Sequence, residues 1–169
     1  MRPWPRLLRI CVLAAGLATG LGWAGAAAAK DGAIEVDVEL VLAVDISYSM
    51  DPEEQRLQRE GYAQALTSPQ FQEALRSGAY GKIAIVYLQW AAARDQDVLL
   101  PWTVIDGPAS ARAFAERLLE APYRRAQRTS ISGALETSLA LFEGNGFNGM
   151  RRVIDVSGDG TNNLSLIHI

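Results

Sequence analysis

Cysteine and histidine are nearly absent from this chain, and their scarcity restricts its chemistry. The 169 residues include one cysteine, Cys11, and one histidine, His168. A single cysteine cannot form an intrachain disulfide or a cysteine-cluster zinc site. A single histidine next to the last residue is a poor catalytic base. Together these absences exclude most hydrolase triads, redox dithiols and histidine-ligated metals.

Basic residues are not in excess either. Lys and Arg number 16 against 19 Asp and Glu, a net charge of −3. A protein that binds the phosphate backbone of a nucleic acid usually has an excess of basic residues, and this chain has none, so the sequence argues against a nucleic-acid partner. The charged fraction of 21% and the hydrophobic fraction of 49% are those of a globular protein. The length suits one domain.

Residues 1–29 are predicted to be a secretory signal peptide. Three arginines open the segment, an uncharged stretch rich in Leu, Ala and Gly follows, and Ala27 to Ala29 fit a cleavage site before Lys30. A membrane anchor is the alternative, although the Ala- and Gly-rich second half makes a weak span. Cys11 lacks the preceding small residues of a lipoprotein box, so we do not expect lipidation.

Removal of this segment would leave a more acidic chain without cysteine. Three of the 16 basic residues and none of the 19 acidic ones lie in it, so 13 and 19 remain, a net charge of −6. Such a chain suits a bacterial periplasm or exterior, where it must be stable without disulfides. We expect a secreted, periplasmic or extracellular protein.

Strand and helix signals alternate along the mature chain. Strands are predicted at 36–44, 82–90, 98–105 and 152–156, with a helix starting at Asp51-Pro52 and others before the last strand. The first strand ends wholly apolar, as a strand buried on both faces does. The fold class predicted is α/β: one domain with a doubly wound, mostly parallel sheet and helices on both faces.

Two details of this pattern can be checked directly. Pro101 in the third strand predicts a sheet edge or a bend, because proline has no N–H for the ladder. The first helix is predicted to turn its apolar residues inward, namely Leu57, Gly61, Tyr62, Ala65 and Leu66.

Oxygen-bearing side chains occupy three places that an open α/β sheet brings together. Asp45, Ser47 and Ser49 follow the first strand, Thr129 opens a helix, and Asp159 follows the fourth strand. Ligands of such sheets bind outside the carboxyl ends of the strands. Hydroxyl and carboxylate oxygens without His or Cys suit Mg²⁺, with Mn²⁺ or Ca²⁺ possible. In an extended D-x-S-x-S, the three alternate side chains share one side.

Each piece alone has an ordinary explanation. The stretch from Asp45 to Ser49 and the pair Asp159-Gly160 have common turn compositions, and Thr129 could be only a helix N-cap. Their joint occurrence, in this order and on these elements, favours a cation site.

These motifs resemble those of von Willebrand factor type A domains. Residues 45–49 (DISYS) match the D-x-S-x-S of the metal-ion-dependent adhesion site. Residues 129–135 (TSISGAL) look like its T-x-x-x-x-A-L segment, and Asp159-Gly160 like its last acidic element. The resemblance covers residues 36–163, and the wider text is similar to a secreted bacterial subfamily with this domain.

The resemblance implies a Rossmann-like von Willebrand A fold and a role for each motif residue. Ser47, Ser49 and Thr129 would touch the metal directly or nearly so, and Asp45 and Asp159 would act mostly through water. A glutamate or aspartate of an exported or surface protein would fill the open position. Because few negatively charged side chains would contact the cation directly, it would stay electrophilic, which favours binding of an incoming carboxylate.

Residues around these motifs have two interpretations each. Tyr48 and Met50 would contact the partner or pack within the loop. Asp155 could support Thr129 or the Asp45 loop as a hydrogen-bond acceptor.

Aromatic and basic residues nearby are interpreted as structural. Trp90 and Trp102 are expected in the core or at its rim rather than in a ligand cage. Arg124, Arg125 and Arg128 form a basic loop that is either simply solvated or steers an acidic partner.

The resemblance also implies a sheet of six strands, so two strands and at least one helix are expected to be missing. Residues 164–169 (LSLIHI) do not continue the family pattern and are interpreted as a non-native tail. The domain would then be a partial one over residues 30–163.

The leading hypothesis is a metal-dependent binding module without enzymatic activity. A metal-dependent hydrolase or phosphatase is the first alternative, but Ser47 stands where aspartate-nucleophile phosphatases have their second Asp, and the mature chain has no G-x-S-x-G elbow or P-loop. A metal-free structural domain of the same fold is the second.

Overall fold

The computed structural model describes residues 32–158. The predicted signal peptide, Asp159 and the expected tail lie outside these residues. No helix within residues 32–158 has both the length and the apolar character that crossing a membrane requires. The elements in chain order are β1 Ile34–Asp45, α1 Pro52–Thr67, α2 Pro69–Arg76, β2 Ile83–Trp90, β3 Gln96–Ile105, α3 Pro108–Glu120, α4 Ile131–Ala140 and β4 Phe147–Ser157.

The strands form one mixed sheet in the order β3-β2-β1-β4. β1 runs parallel to both of its neighbours, so that Val41 pairs with Val86 on one side and Ile154 on the other. β3 is antiparallel to β2. The mostly parallel sheet is therefore confirmed, and Pro101 lies on a strand at the edge of the described sheet, where a missing N–H is tolerated.

Helices cover both faces of this sheet, which confirms the doubly wound α/β class. Leu42 and Val44 of β1 pack into a core with α1, α2 and α3, whereas Val41 and Ala43 pack on the opposite face against α4. The alternating side chains of β1 are thus buried on both faces. This arrangement explains the continuous apolar run from Leu40 to Val44 near the end of β1.

The predicted inner face of α1 is wrong in most of its residues. Leu57 is 54% exposed, and Gly61 and Ala65 are exposed as well. The buried residues are Gln55, Arg59, Ala63 and Leu66. A polar stripe lies inside because α1 packs chiefly against α3, and Arg59 donates to the carbonyl of Ala121, the C-cap residue of that helix.

The two tryptophans singled out in the sequence are core residues, as predicted. Trp90 is buried on the α4 face of the sheet. Trp102 packs against the rings of Phe142 and Phe147, and its indole N–H donates to the carbonyl of Leu141 at 3.1 Å.

Candidate metal site

Three loops meet at the carboxyl ends of β1 and β2. The N–H of Ile46 donates to the carbonyl of Trp90 at 2.9 Å, and the N–H of Ala126 donates to the carbonyl of Ile46 at 2.9 Å. The N–H of Ser130 donates to the carbonyl of Ala91 at 2.8 Å. Backbone hydrogen bonds therefore fix the loop after β1, the loop after β2 and the segment before α4 to one another.

Asp45, Ser47 and Ser49 form a continuous line of oxygen atoms. The N–H of Ser47 donates to Oδ1 of Asp45 at 2.7 Å, and the hydroxyl oxygens of Ser47 and Ser49 lie 2.7 Å apart. Asp45 is fully buried, Ser47 is nearly so, and Ser49 is exposed. The structure thus brings these three predicted ligands together, in a line that runs from the interior to solvent.

Thr129 is buried directly before α4, but it does not cap that helix. The N-cap is Ser130, whose side chain accepts a hydrogen bond from the N–H of Gly133 at 3.2 Å. The interpretation of Thr129 as a helix cap is therefore wrong. Arg128 just before it has a φ of +70°, a backbone conformation that costs energy for a non-glycine residue and tends to occur at functional sites.

Gly158 brings the end of β4 against Asp45. A Cβ atom at this position would lie 2.9 Å from Oδ2 and 3.0 Å from Cβ of Asp45. Asp159, the fifth predicted ligand, lies outside the described residues, so its place in the site stays a prediction. Gly158 was not predicted to be part of the site, although a glycine at a strand end directly before a proposed ligand is a signal for such a contact.

The close approach of Gly158 to Asp45 leads to a testable prediction. In Gly158→Ala, the added methyl group must displace either the Asp45 carboxylate or the end of β4, so we expect affinity for Mn²⁺ to fall about tenfold, or about 1.4 kcal/mol. Isothermal titration calorimetry with Mn²⁺ measures this change. Gly61→Ala in α1 is the matched control, because its Cβ would meet no atom within 4 Å. Equal affinities in both variants would contradict the prediction.

Residues flanking the loop divide into an exposed and a buried group. Tyr48 is 55% exposed, and the Arg125 guanidinium lies 5.0 Å from the centre of its ring. Arg125 also donates to the carbonyl oxygen of Tyr48. Met50 is buried, which favours the alternative that it packs inside rather than contacting a partner.

Asp155 does not hydrogen-bond to Thr129 or to the Asp45 loop. Its Oδ2 accepts a hydrogen bond of 2.9 Å from the hydroxyl of Tyr62 in α1. The expected direct support is therefore wrong. The alternation of side chains along β4 places Asp155 on the sheet face that α1 covers.

The donor set fits a hard divalent cation. Within residues 32–158, no group of three or more His, Cys, Asp or Glu side chains could hold a metal. The described candidates are one buried carboxylate and the hydroxyls of two serines and a threonine. Oxygen donors of this kind suit Mg²⁺, Mn²⁺ or Ca²⁺ rather than softer metals.

Comparison with protein families assigns the chain to one of them. The model described as "Protein of unknown function (DUF1194)" matches residues 35–168. The chain belongs to the DUF1194 family. Comparison of this DUF1194 chain with curated proteins finds no significant match.

Solved structures of another protein share the fold of this DUF1194 chain. Two solved structures of proximal thread matrix protein 1 from the mussel byssus align with TM-scores of 0.56 and 0.58, at 14% and 16% sequence identity. Each alignment covers 78% of the DUF1194 chain and 33% of the other, so this chain spans about a third of their length. The second is described as having a zinc-occupied MIDAS motif. At this identity the likeness establishes the fold alone.

Proposed function

We propose that this DUF1194 protein is an exported binding module that recognises an acidic side chain of a partner through a bound divalent cation. The observation that carries the proposal is the line of oxygens from buried Asp45 through Ser47 to exposed Ser49. It ends at solvent, where a ligand oxygen from another molecule has access. The mussel protein with a zinc-occupied MIDAS motif adds support, since it has the same fold.

Five residues would hold the cation. Ser47, Ser49 and Thr129 would supply hydroxyl oxygens close to it, and Asp45 and Asp159 would supply negative charge largely through water. The cation, Mg²⁺ in our proposal, supplies an electrophilic position for an incoming carboxylate. The residues themselves bind and orient; we assign no catalytic step to them.

The rim of the site carries positive charge on an otherwise acidic chain. We call Arg125, which contacts Tyr48, and Arg128, which precedes Thr129, the arginine rim. Both are exposed, and neither has a carboxylate within 4 Å among residues 32–158. Arg124 is neutralised by Asp95. An uncompensated positive rim attracts an acidic partner and raises its association rate.

The function is tested with the full-length mature protein and a defined probe. A labelled peptide with three glutamates in a Gly-Ser frame is expected to bind in Mg²⁺, and a chelator is expected to abolish that binding. In Arg125→Gln, affinity for the peptide should fall about three- to tenfold at low salt, because one rim charge is lost. Fluorescence anisotropy measures both effects.

Matched controls separate the metal from the rim. The same peptide with glutamines should not bind, and Arg112→Gln in α3 should leave binding unchanged, because Arg112 lies outside the rim. The affinity of Arg125→Gln for Mn²⁺ alone should equal that of the wild type. Binding of the glutamate peptide that survives chelation would overturn the proposed function.

A further inference from the structure

Helix α1 begins directly after the loop that follows β1, residues 46–50, which we call the metal loop. Hydrogen bonds connect this loop to the start of α1. The N–H of Met50 donates to the carbonyl of Ser47 at 3.0 Å. Asp51 then caps α1: its Oδ1 accepts from the N–H of Glu54, and its own N–H donates to Oε2 of Glu54, both at 2.8 Å. A displacement of the loop therefore displaces the first turn of α1.

The middle of α1 is hydrogen-bonded to the end of β4. Nε2 of Gln58 donates to Oγ of Ser157 at 2.8 Å. The hydroxyl of Tyr62 lies 3.2 Å from the same Oγ and 2.9 Å from Oδ2 of Asp155. Because residues four apart lie on one helix face, Gln58 and Tyr62 can hold a single strand end together.

These bonds have a consistent direction. Both helix side chains are the donors: Gln58 donates to Oγ of Ser157, and the one proton of the Tyr62 hydroxyl is directed at Oδ2 of Asp155 and Oγ of Ser157. Burial, assisted by the neighbouring Asp155 and opposed by Ser157, raises the pKa of Tyr62 to about 12. Tyr62 therefore keeps its proton and stays a donor at neutral pH.

The residue after β4 contacts Asp45, the residue directly before the metal loop. Gly158 follows Ser157 directly and lies against the Asp45 carboxylate, with room for no side chain. One closed path thus runs from the loop through α1 to Ser157, and through Gly158 to Asp45. Packing alone does not explain these bonds, since α1 packs chiefly against α3.

We propose that Gln58 and Tyr62 are positioning residues of the metal site: they hold the end of β4 against Asp45 and thereby set the affinity for a divalent cation. The inference rests on the proposed metal site. Coupling is reciprocal, so a bound cation also stabilises the contact of α1 with β4. A partner that moves the start of α1 would change metal affinity, and metal would change partner affinity by the same factor.

The test uses Mn²⁺ alone as the probe. Tyr62→Phe removes only a hydroxyl, and Gln58→Met removes the donor while keeping the length of the side chain. We expect the double variant to bind Mn²⁺ about 5- to 20-fold more weakly by paramagnetic resonance titration, within the usual range of coupling between sites. Tyr80→Phe and Gln64→Met, both exposed, are the matched controls and should stay within about twofold of wild type.

A second measurement separates positioning from a purely structural role. In a chelator, the melting temperature of the variants is expected to fall modestly. Ser157→Ala should weaken Mn²⁺ binding. Adding Tyr62→Phe to Ser157→Ala should weaken it little further, because both substitutions act through one contact. A lower melting temperature with unchanged Mn²⁺ affinity would overturn the inference. If the double variant does not fold, Tyr62→Phe alone decides by the same criterion. Failure of the wild type to bind Mn²⁺ would instead refute the proposed function, and this inference with it.

Discussion

The Asp45→Asn variant is expected to bind Mn²⁺ at least about 100-fold more weakly than the wild type, a loss of about 3 kcal/mol or more. Asp45 is the only carboxylate among the described candidate ligands, and it is fully buried. The attraction between a carboxylate and a divalent cation is strong where water does not screen it. Removing this charge therefore removes a large part of the binding energy.

Asparagine is chosen because it preserves the local structure. Its side-chain oxygen can still accept the hydrogen bond that Ser47 N–H donates to Asp45 Oδ1. The loop should keep its shape, so a lost affinity reports the charge. Calorimetric titration with Mn²⁺ and circular dichroism in chelator are the measurements. Asp106→Asn is the control, because Asp106 is exposed and bonds to Ser110 at the start of α3, away from the loop. A Kd for Asp45→Asn within about threefold of wild type would refute the metal site.

Local sequence signals predicted the parts of the fold that depend on neighbours in the chain. Asp51 and Pro52 start α1 as predicted, because capping and the fixed φ of proline act within one turn. The apolar end of β1 predicted a strand covered on both faces, because burial on two faces leaves no position for a polar side chain. The serines after β1 predicted the line of oxygens, but the expected extended backbone is wrong there, because the chain turns at Tyr48 and Ser49. This turn holds the hydroxyl oxygens of Ser47 and Ser49 within 2.7 Å of each other.

Contacts between distant segments could not be predicted in this way. The role of Asp155 depends on a tyrosine 93 positions earlier in the chain, and no pattern near Asp155 indicates that partner. The close approach of Gly158 to Asp45 depends equally on the pairing of β1 with β4. Both contacts follow from the order of the strands in the sheet. Local sequence patterns do not predict this order, and only the resemblance to a known fold indicated it.

The buried stripe of α1 shows the limit of hydrophobic periodicity most clearly. A pattern based on apolar residues placed Leu57 inside, but the structure exposes Leu57 and buries Arg59. Arginine is buried when its donors find partners, and such partners are invisible in a local pattern. Here they are carbonyl groups at the end of α3 and in the chain just after it.

The Arg59→Ala variant is expected to lose about 3–5 kcal/mol of unfolding free energy, because it removes both a large buried side chain and its hydrogen bonds. Arg59 is 1% exposed. It donates to the carbonyls of Ala121 and Pro122, at 2.5 and 3.0 Å, and its guanidinium lies 4.2 Å from the centre of the Tyr123 ring. Its positive charge also meets the negative end of the α3 dipole.

The melting temperature of Arg59→Ala should therefore fall by more than about 10 °C, measured by circular dichroism in chelator. Arg59→Met, which fills the space without donating hydrogen bonds, should lose about half as much. Arg56→Ala is the matched control on the same helix: its ion pairs with Glu53 and Glu60 are partly exposed, so its loss should stay below about 1 kcal/mol. The segment that Arg59 holds leads to Thr129, so a folded Arg59→Met should also bind Mn²⁺ more weakly than Arg56→Ala does. A neutral surface substitution changes the melting temperature by about 2 °C at most. An Arg59→Ala variant that melts within this range of wild type would show that the packing of α1 against α3 does not depend on the Arg59 side chain.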